Sequence, residues 1–179
     1  MKWKHINTKT VLENSHWSYC IDDFSIGENY KSEYHYVHTN GSSLIIPVLE
    51  NNKLLMVEQY RYLNRKASLE FPCGSIEKGL SPIENAQKEL REETGFFSNE
   101  MSLIGEFSPY TGASDEICSV FIGKNLTKQP LPKDPTEIDI KVIELSVNEI
   151  EKLMNENKIW DGLTLAAWTL SKNFIKQIQ

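Results

Sequence analysis

Between Ser81 and Gly95 the chain spells out both ends of a helix, and the side chains on that helix constrain what the rest can be. Ser81-Pro82-Ile83-Glu84 is a capping box with proline at the first helical position: the serine oxygen accepts from a free backbone amide and the glutamate reaches back. Gly95 suits the left-handed position that stops a helix. At ~100° per residue, Ile83, Ala86, Leu90, Thr94 and Phe97 fall on one stripe, which is expected to face the core. Glu89, Glu92 and Glu93 occupy the neighbouring arc, and like charges one turn apart disfavour a helix by ~0.2–0.5 kcal/mol per pair. In an arbitrary helix, a solvated face eased by Lys88 and Arg91 would account for them. Here the preceding Leu69-Glu70-Phe71-Pro72-Cys73-Gly74 is an apolar strand end running into a glycine loop, which brings backbone carbonyls towards the carboxylates. All-oxygen ligation of that kind suits Mg²⁺, an ion normally shared with substrate phosphates, and a diphosphate is the natural partner.

The flanking sequence supplies strands and further helices. Alternating aromatic and polar residues over the first 40 positions, broken by Gly27 and by Asn40-Gly41, predict N-terminal strands. Ser43–Leu49 and Lys53–Tyr60, separated by Glu50-Asn51-Asn52, read as two paired central strands joined by a hairpin loop. Leu103–Phe107, Ile117–Ile122 and Ile138–Leu145 read as strands, and the proline-rich Lys128–Pro135 as loop. Ser146 with Glu149 starts a second helix, and Asp161 caps a third through Leu163–Phe174. Strands before, between and after helices predict an α/β fold with a mixed sheet and helices on its faces.

A chain of 179 residues fits one compact domain with a sizeable core. Its formal charge of -6 offers no basic surface for duplex nucleic acid, so a phosphate-bearing ligand needs local cations or metal. No stretch reaches the ~20 apolar residues of a membrane helix, and Met1–Thr10 lacks the apolar core of a signal peptide, so the expectation is a cytoplasmic protein with no membrane partner. Cys20, Cys73 and Cys118 form no C-x-x-C pair and read as buried free thiols. His35 and His38 fall in a strand-like segment and point to opposite faces, so they read as structural or surface residues and not as a metal pair.

From Gly74 to Phe96 the chain resembles the Nudix box, G-x5-E-x7-R-E-U-x-E-E-x-G-U with U apolar, through Gly74, Glu89, Leu90, Glu92, Glu93, Gly95 and Phe96. Glu58-Gln59-Tyr60-Arg61, Leu69–Gly74, Ser108–Glu116 and Lys158–Leu170 extend the resemblance to the branch that hydrolyses ADP-ribose and nucleoside-diphosphate sugars. The resemblance implies a Nudix-type α/β/α sandwich with a mixed central sheet and an N-terminal antiparallel strand region. It also implies a hydrolase domain over residues 41–179 and a homodimer built through residues 1–40.

By the same resemblance, Glu89 and Glu93 are the principal ligands of Mg²⁺ or Mn²⁺, with Glu92 an additional one and the Cys73 carbonyl a backbone ligand. Arg61 resembles the arginine that holds the substrate diphosphate, though an ion pair with Glu70 suits it as well. Glu137, at the end of the proline-rich loop, is the candidate general base; Glu116 matches a second acidic position; Trp17 is a candidate for base stacking. The implied activity is Mg²⁺-dependent hydrolysis of ADP-ribose or a related nucleoside-diphosphate sugar to a nucleoside monophosphate and a sugar phosphate. Two departures point to an alternative, a weak or inactive nucleotide-binding sensor. Leu80 replaces the first glutamate of the box, and Lys88 replaces the arginine that braces the glutamates. Thr111, where ADP-ribose hydrolases commonly carry proline, keeps other nucleotide sugars open as substrates.

Overall fold

A computed structural model describes residues 2–132 and 139–176. Three antiparallel strands, β1 (Trp3–Glu13), β2 (Ser18–Ile26) and β3 (Tyr30–His38), form a meander of their own, with Gly27 at φ 63° in the second turn. The remaining strands are β4 (Ser42–Pro47), β5 (Leu54–Arg61), β6 (Lys66–Glu70), β7 (Cys73–Ser75), β8 (Phe96–Phe107), β9 (Cys118–Lys128) and β10 (Lys141–Leu145). Helices α1 (Pro82–Thr94), α2 (Val147–Asn155) and α3 (Gly162–Ile175) complete the fold.

The central sheet is mixed, in the order β7-β4-β9-β8, with β4 and β9 parallel and the other pairs antiparallel. A second sheet runs β10-β5-β6. The predicted pairing of the two strands around Glu50-Asn51-Asn52 is therefore wrong. The turn forms, with Asn52 at φ 60°, but only Val48 and Leu54 bridge across it before the strands part into different sheets. Their apolar content explains the divergence: β4 is buried along its whole length, so both of its faces are covered and its edges go to β7 and β9.

Alternation along β4 divides the core. Ile45 packs with Phe121, Ala86 and Leu90 under α1, whereas Leu44 and Ile46 join Leu54, Met56, Val120, Ile150, Ala167 and Trp168 on the other side. Phe71 and Trp168 stack at 6.2 Å within that larger cluster. All three helices carry the expected N-caps: Ser81 and Ser146 form complete capping boxes, and Asp161 accepts from the Thr164 amide at 2.7 Å. Gly95 ends α1 at φ 79°. Ser81→Ala is expected to lower the unfolding free energy by about 1 kcal/mol in urea titrations, with the slope unchanged.

Candidate active site

The helix α1 is rotated from the orientation its apolar stripe predicts. Asn85, Ala86, Glu89, Leu90 and Glu93 are its buried residues, while Ile83 is 44% exposed. Glu89 and Glu93 retain only 7% and 2% exposure, which excludes the solvated-face reading. Of these two buried carboxylates one turn apart, Glu89 lies against the loop in front of the helix. A Cβ added at Gly74 would land within the Glu89 carboxylate, so only glycine lets the loop backbone and that side chain lie in contact. Asn85, fully buried, ties the same loop to the helix: its amide oxygen accepts from the Glu77 N–H at 3.1 Å, and its amide nitrogen donates to the Gly74 carbonyl at 3.4 Å. The Ser43 hydroxyl donates to the Pro82 carbonyl at 2.8 Å, fixing the start of α1 against β4.

Cys73 stands at the start of edge strand β7 and is half-buried, unlike the buried Cys20 and Cys118; all three are free thiols. The Ile45 N–H donates to the Pro72 carbonyl at 3.0 Å. By the alternation of an antiparallel ladder, the neighbouring Leu44–Cys73 pair is then the non-hydrogen-bonded kind, and the Cys73 carbonyl points off the open edge. A hydrogen bond with Cys118, and burial, push the Cys73 thiol well above its ordinary value.

Lys88 spans the loop and the helix. Its ammonium lies 3.2 Å from Glu77 and also pairs with Glu92, one turn along α1. Burial works against its charge, but these two carboxylates hold it above the ordinary lysine value. Glu77, three residues before Leu80, thus supplies a loop carboxylate to Lys88, and Glu92, named as an additional metal ligand, is also paired with Lys88 in this structure.

Arg61 makes the ion pair that was its other reading. Its Nε donates to Glu70 Oε1 at 2.8 Å and its Nη2 to Oε2, while Gln59 donates to the same oxygen at 3.3 Å. Glu70 is buried and Arg61 half-exposed, and the pair holds the guanidinium charged. Asp161, whose carboxyl is pushed up by burial and by nearby Glu70, interacts with Arg61 across the start of α3. Glu116 accepts from the Ser42 hydroxyl at 2.6 Å just before β9.

In front of α1 lies a cleft of about 740 Å³. Among the proposed residues, Trp17, Glu89 and Glu92 line it, together with Gly74; Glu93, Cys73, Arg61 and Glu116 are not part of that lining. Trp17 arrives on the β1–β2 turn, where the Asn14 side chain accepts from the backbone N–H groups of His16 and Trp17. Glu137 lies outside the described residues. Asn85 and Glu77 were not singled out from sequence; an amide on the inner face of a helix beside a glycine loop was the available signal.

These residues fit a hard divalent cation: buried carboxylates, a carbonyl off the sheet edge and a glycine that leaves them room. Among the described residues, no three His, Cys, Asp or Glu side chains are gathered so as to hold a metal ion, so Glu89, Glu92 and Glu93 do not form a ready-made site.

The Nudix domain model matches residues 39–165, most of the chain. The chain belongs to the Nudix hydrolase family. It is 31% identical to the methanol dehydrogenase activator of Bacillus methanolicus, over 92% of this chain and 89% of that protein. It is 27% identical to the ADP-ribose pyrophosphatase of Bacillus subtilis, over 92% of each. A crystal structure of an ADP compounds hydrolase superposes with a TM-score of 0.84 at 20% identity, covering 99% of this chain and 96% of that one, which establishes the Nudix fold. No helix among the described residues is long and apolar enough to cross a membrane. Gly74→Ala is expected to reduce stability by about 1–3 kcal/mol in thermal unfolding and to weaken Mn²⁺ binding roughly tenfold, because the added methyl displaces Glu89.

Proposed function

We propose that this protein is a Mg²⁺-dependent pyrophosphatase that cleaves ADP-ribose or a related nucleoside-diphosphate sugar into a nucleoside monophosphate and a sugar phosphate. The observation that carries this reading is Glu89, buried on α1 against the Gly74 loop at a cleft large enough for a nucleotide, with the buried Glu93 one turn along the same helix. The activities named for the Bacillus subtilis relative and for the structural neighbour support the substrate class. Glu89, Glu93, Glu92 and the Cys73 carbonyl are the residues that would hold Mg²⁺, or Mn²⁺ in its place. When bound, such an ion offsets charge on phosphoryl oxygens and acidifies a water.

The remaining roles fall to the chain's own side chains. Arg61, kept charged and oriented by Glu70, holds the diphosphate through the guanidinium edge not engaged by that carboxylate. Trp17, 41% exposed at the cleft, offers its face to the base. Glu116 positions substrate, and Glu137 takes the proton from the attacking water. Residues 41–179 form the hydrolase domain and residues 1–40 a homodimer contact, a division supported by the separate β1-β2-β3 sheet and by Trp3, Ile6, Val11 and Leu12 exposed along β1. We place the protein in the cytoplasm, consistent with its free cysteines.

A panel of nucleotide sugars with Mg²⁺, followed by monophosphate release, tests the activity. Turnover is expected with at least one, to be abolished by EDTA, and to fall about 100-fold or more in Glu93→Gln. Tight binding without product would instead favour a sensor, the role suggested by Leu80 and Lys88. A chain starting at Ser43 is expected to run as a monomer in light scattering; a folded, active dimer would refute the N-terminal contact.

A further inference from the structure

At the lining of the cleft, the last residue of β3 forms a dyad with the loop before β9. His38 Nδ1 and Asp115 Oδ2 lie 2.6 Å apart, and the Thr39 N–H donates to Asp115 Oδ1 at 3.1 Å, so both carboxylate oxygens are engaged. The backbone fixes this placement: the Val37 N–H donates to the Ala113 carbonyl at 2.8 Å and the Asp115 N–H to the Val37 carbonyl at 3.2 Å. The Tyr34 hydroxyl adds a bond to the Gly112 carbonyl at 3.2 Å.

An ionised carboxylate has no proton to give, so the proton of the short contact comes from His38 Nδ1, and in the neutral ring Nε2 is then a bare lone pair. His38 lines the same cleft as Trp17, Gly74 and Glu89, and no other hydrogen bond engages its ring among the described residues. A fixed acceptor at that wall needs a donor. An ionised diphosphate offers only acceptors, whereas the sugars joined to it carry hydroxyl donors.

We propose that His38, oriented by Asp115, accepts a hydrogen bond from a sugar hydroxyl of the nucleoside-diphosphate substrate, making the pair a reader of the glycosyl part of the ligand. This inference rests on the reading of the cleft as a nucleotide-sugar site. His38 is the contact and Asp115 the positioning residue. Their chemistry discriminates a sugar-bearing diphosphate from one without sugar, because a ligand lacking the hydroxyl leaves the acceptor unmatched.

The test measures equilibrium binding of ADP-ribose and of inorganic pyrophosphate in EDTA, so that turnover plays no part. His38→Phe, checked for folding by circular dichroism, is expected to weaken ADP-ribose roughly five- to tenfold and leave pyrophosphate unchanged. His38→Gln, which carries an acceptor of similar reach, is expected to recover most of the loss. Long-range proton–nitrogen spectra should show the Nδ1–H tautomer in the parent protein and its loss of dominance in Asp115→Asn. Equal weakening of both ligands, unchanged ADP-ribose binding, failure of ADP-ribose to bind the parent protein, or an Nε2–H tautomer would each overturn the proposal. So would a loss that disappears when hypoxanthine replaces adenine, since the partner would then be the base amine. Binding that follows this pattern without turnover on adding Mg²⁺ would overturn the hydrolase reading alone. Turnover with an unaffected His38→Phe would overturn the hydroxyl contact alone.

Discussion

Everything at this site depends on two carboxylates, Glu89 and Glu93, being held almost entirely out of water on one helix. Glu89 and Glu93 sit on the inner face of α1, where isolated charge is costly. The glycine loop lies directly on Glu89, and Asn85 locks that loop to the helix from within. The buried face of α1 therefore keeps Ala86 and Leu90 from its apolar stripe but turns towards Asn85, Glu89 and Glu93, and Ile83 is left outside.

The departures at Leu80 and Lys88 take on a different meaning once the loop is seen. An ammonium lacks the planar fork of a guanidinium, but it joins two carboxylates as a point charge, and Lys88 does so with Glu77 and Glu92. Glu77 stands in the loop and not at the first glutamate of the box, so the loop carboxylate that meets Lys88 comes from a different position of the chain. Glu92 is the residue with two claims on it, one from Lys88 and one from the site beside it.

Much of the fold was legible because its signals are local. The capping boxes at Ser81 and Ser146, the Asp161 cap and the left-handed Gly95 each act within a few residues, and each formed. What was not legible depends on partners distant in sequence. The strands around Glu50-Asn51-Asn52 look like a hairpin in isolation, but the lateral partners of β4 are Cys73–Ser75 and Cys118–Gly123, far along the chain. The rotation of α1 was hidden for the same reason: an apolar stripe predicts which side chains prefer the core, not that a glycine loop will make room for carboxylates. The box spacing located Glu89 and Glu93, while Asn85, Glu77 and Asp115 acquire meaning only from the groups they touch.

The join between β3 and the Ala113–Asp115 loop is parallel and only one bridge long, Val37 to Ser114. Side chains alternate faces at every step along a strand, so slipping this seam by a single residue would carry His38 to the outside and present Val37 or Thr39 to the cleft. Insertions and deletions between Tyr36 and Gly41 are consequently a different class of change from those at the exposed β1–β2 tip. They would reverse which chemistry faces the ligand, even in a protein that remained fully folded.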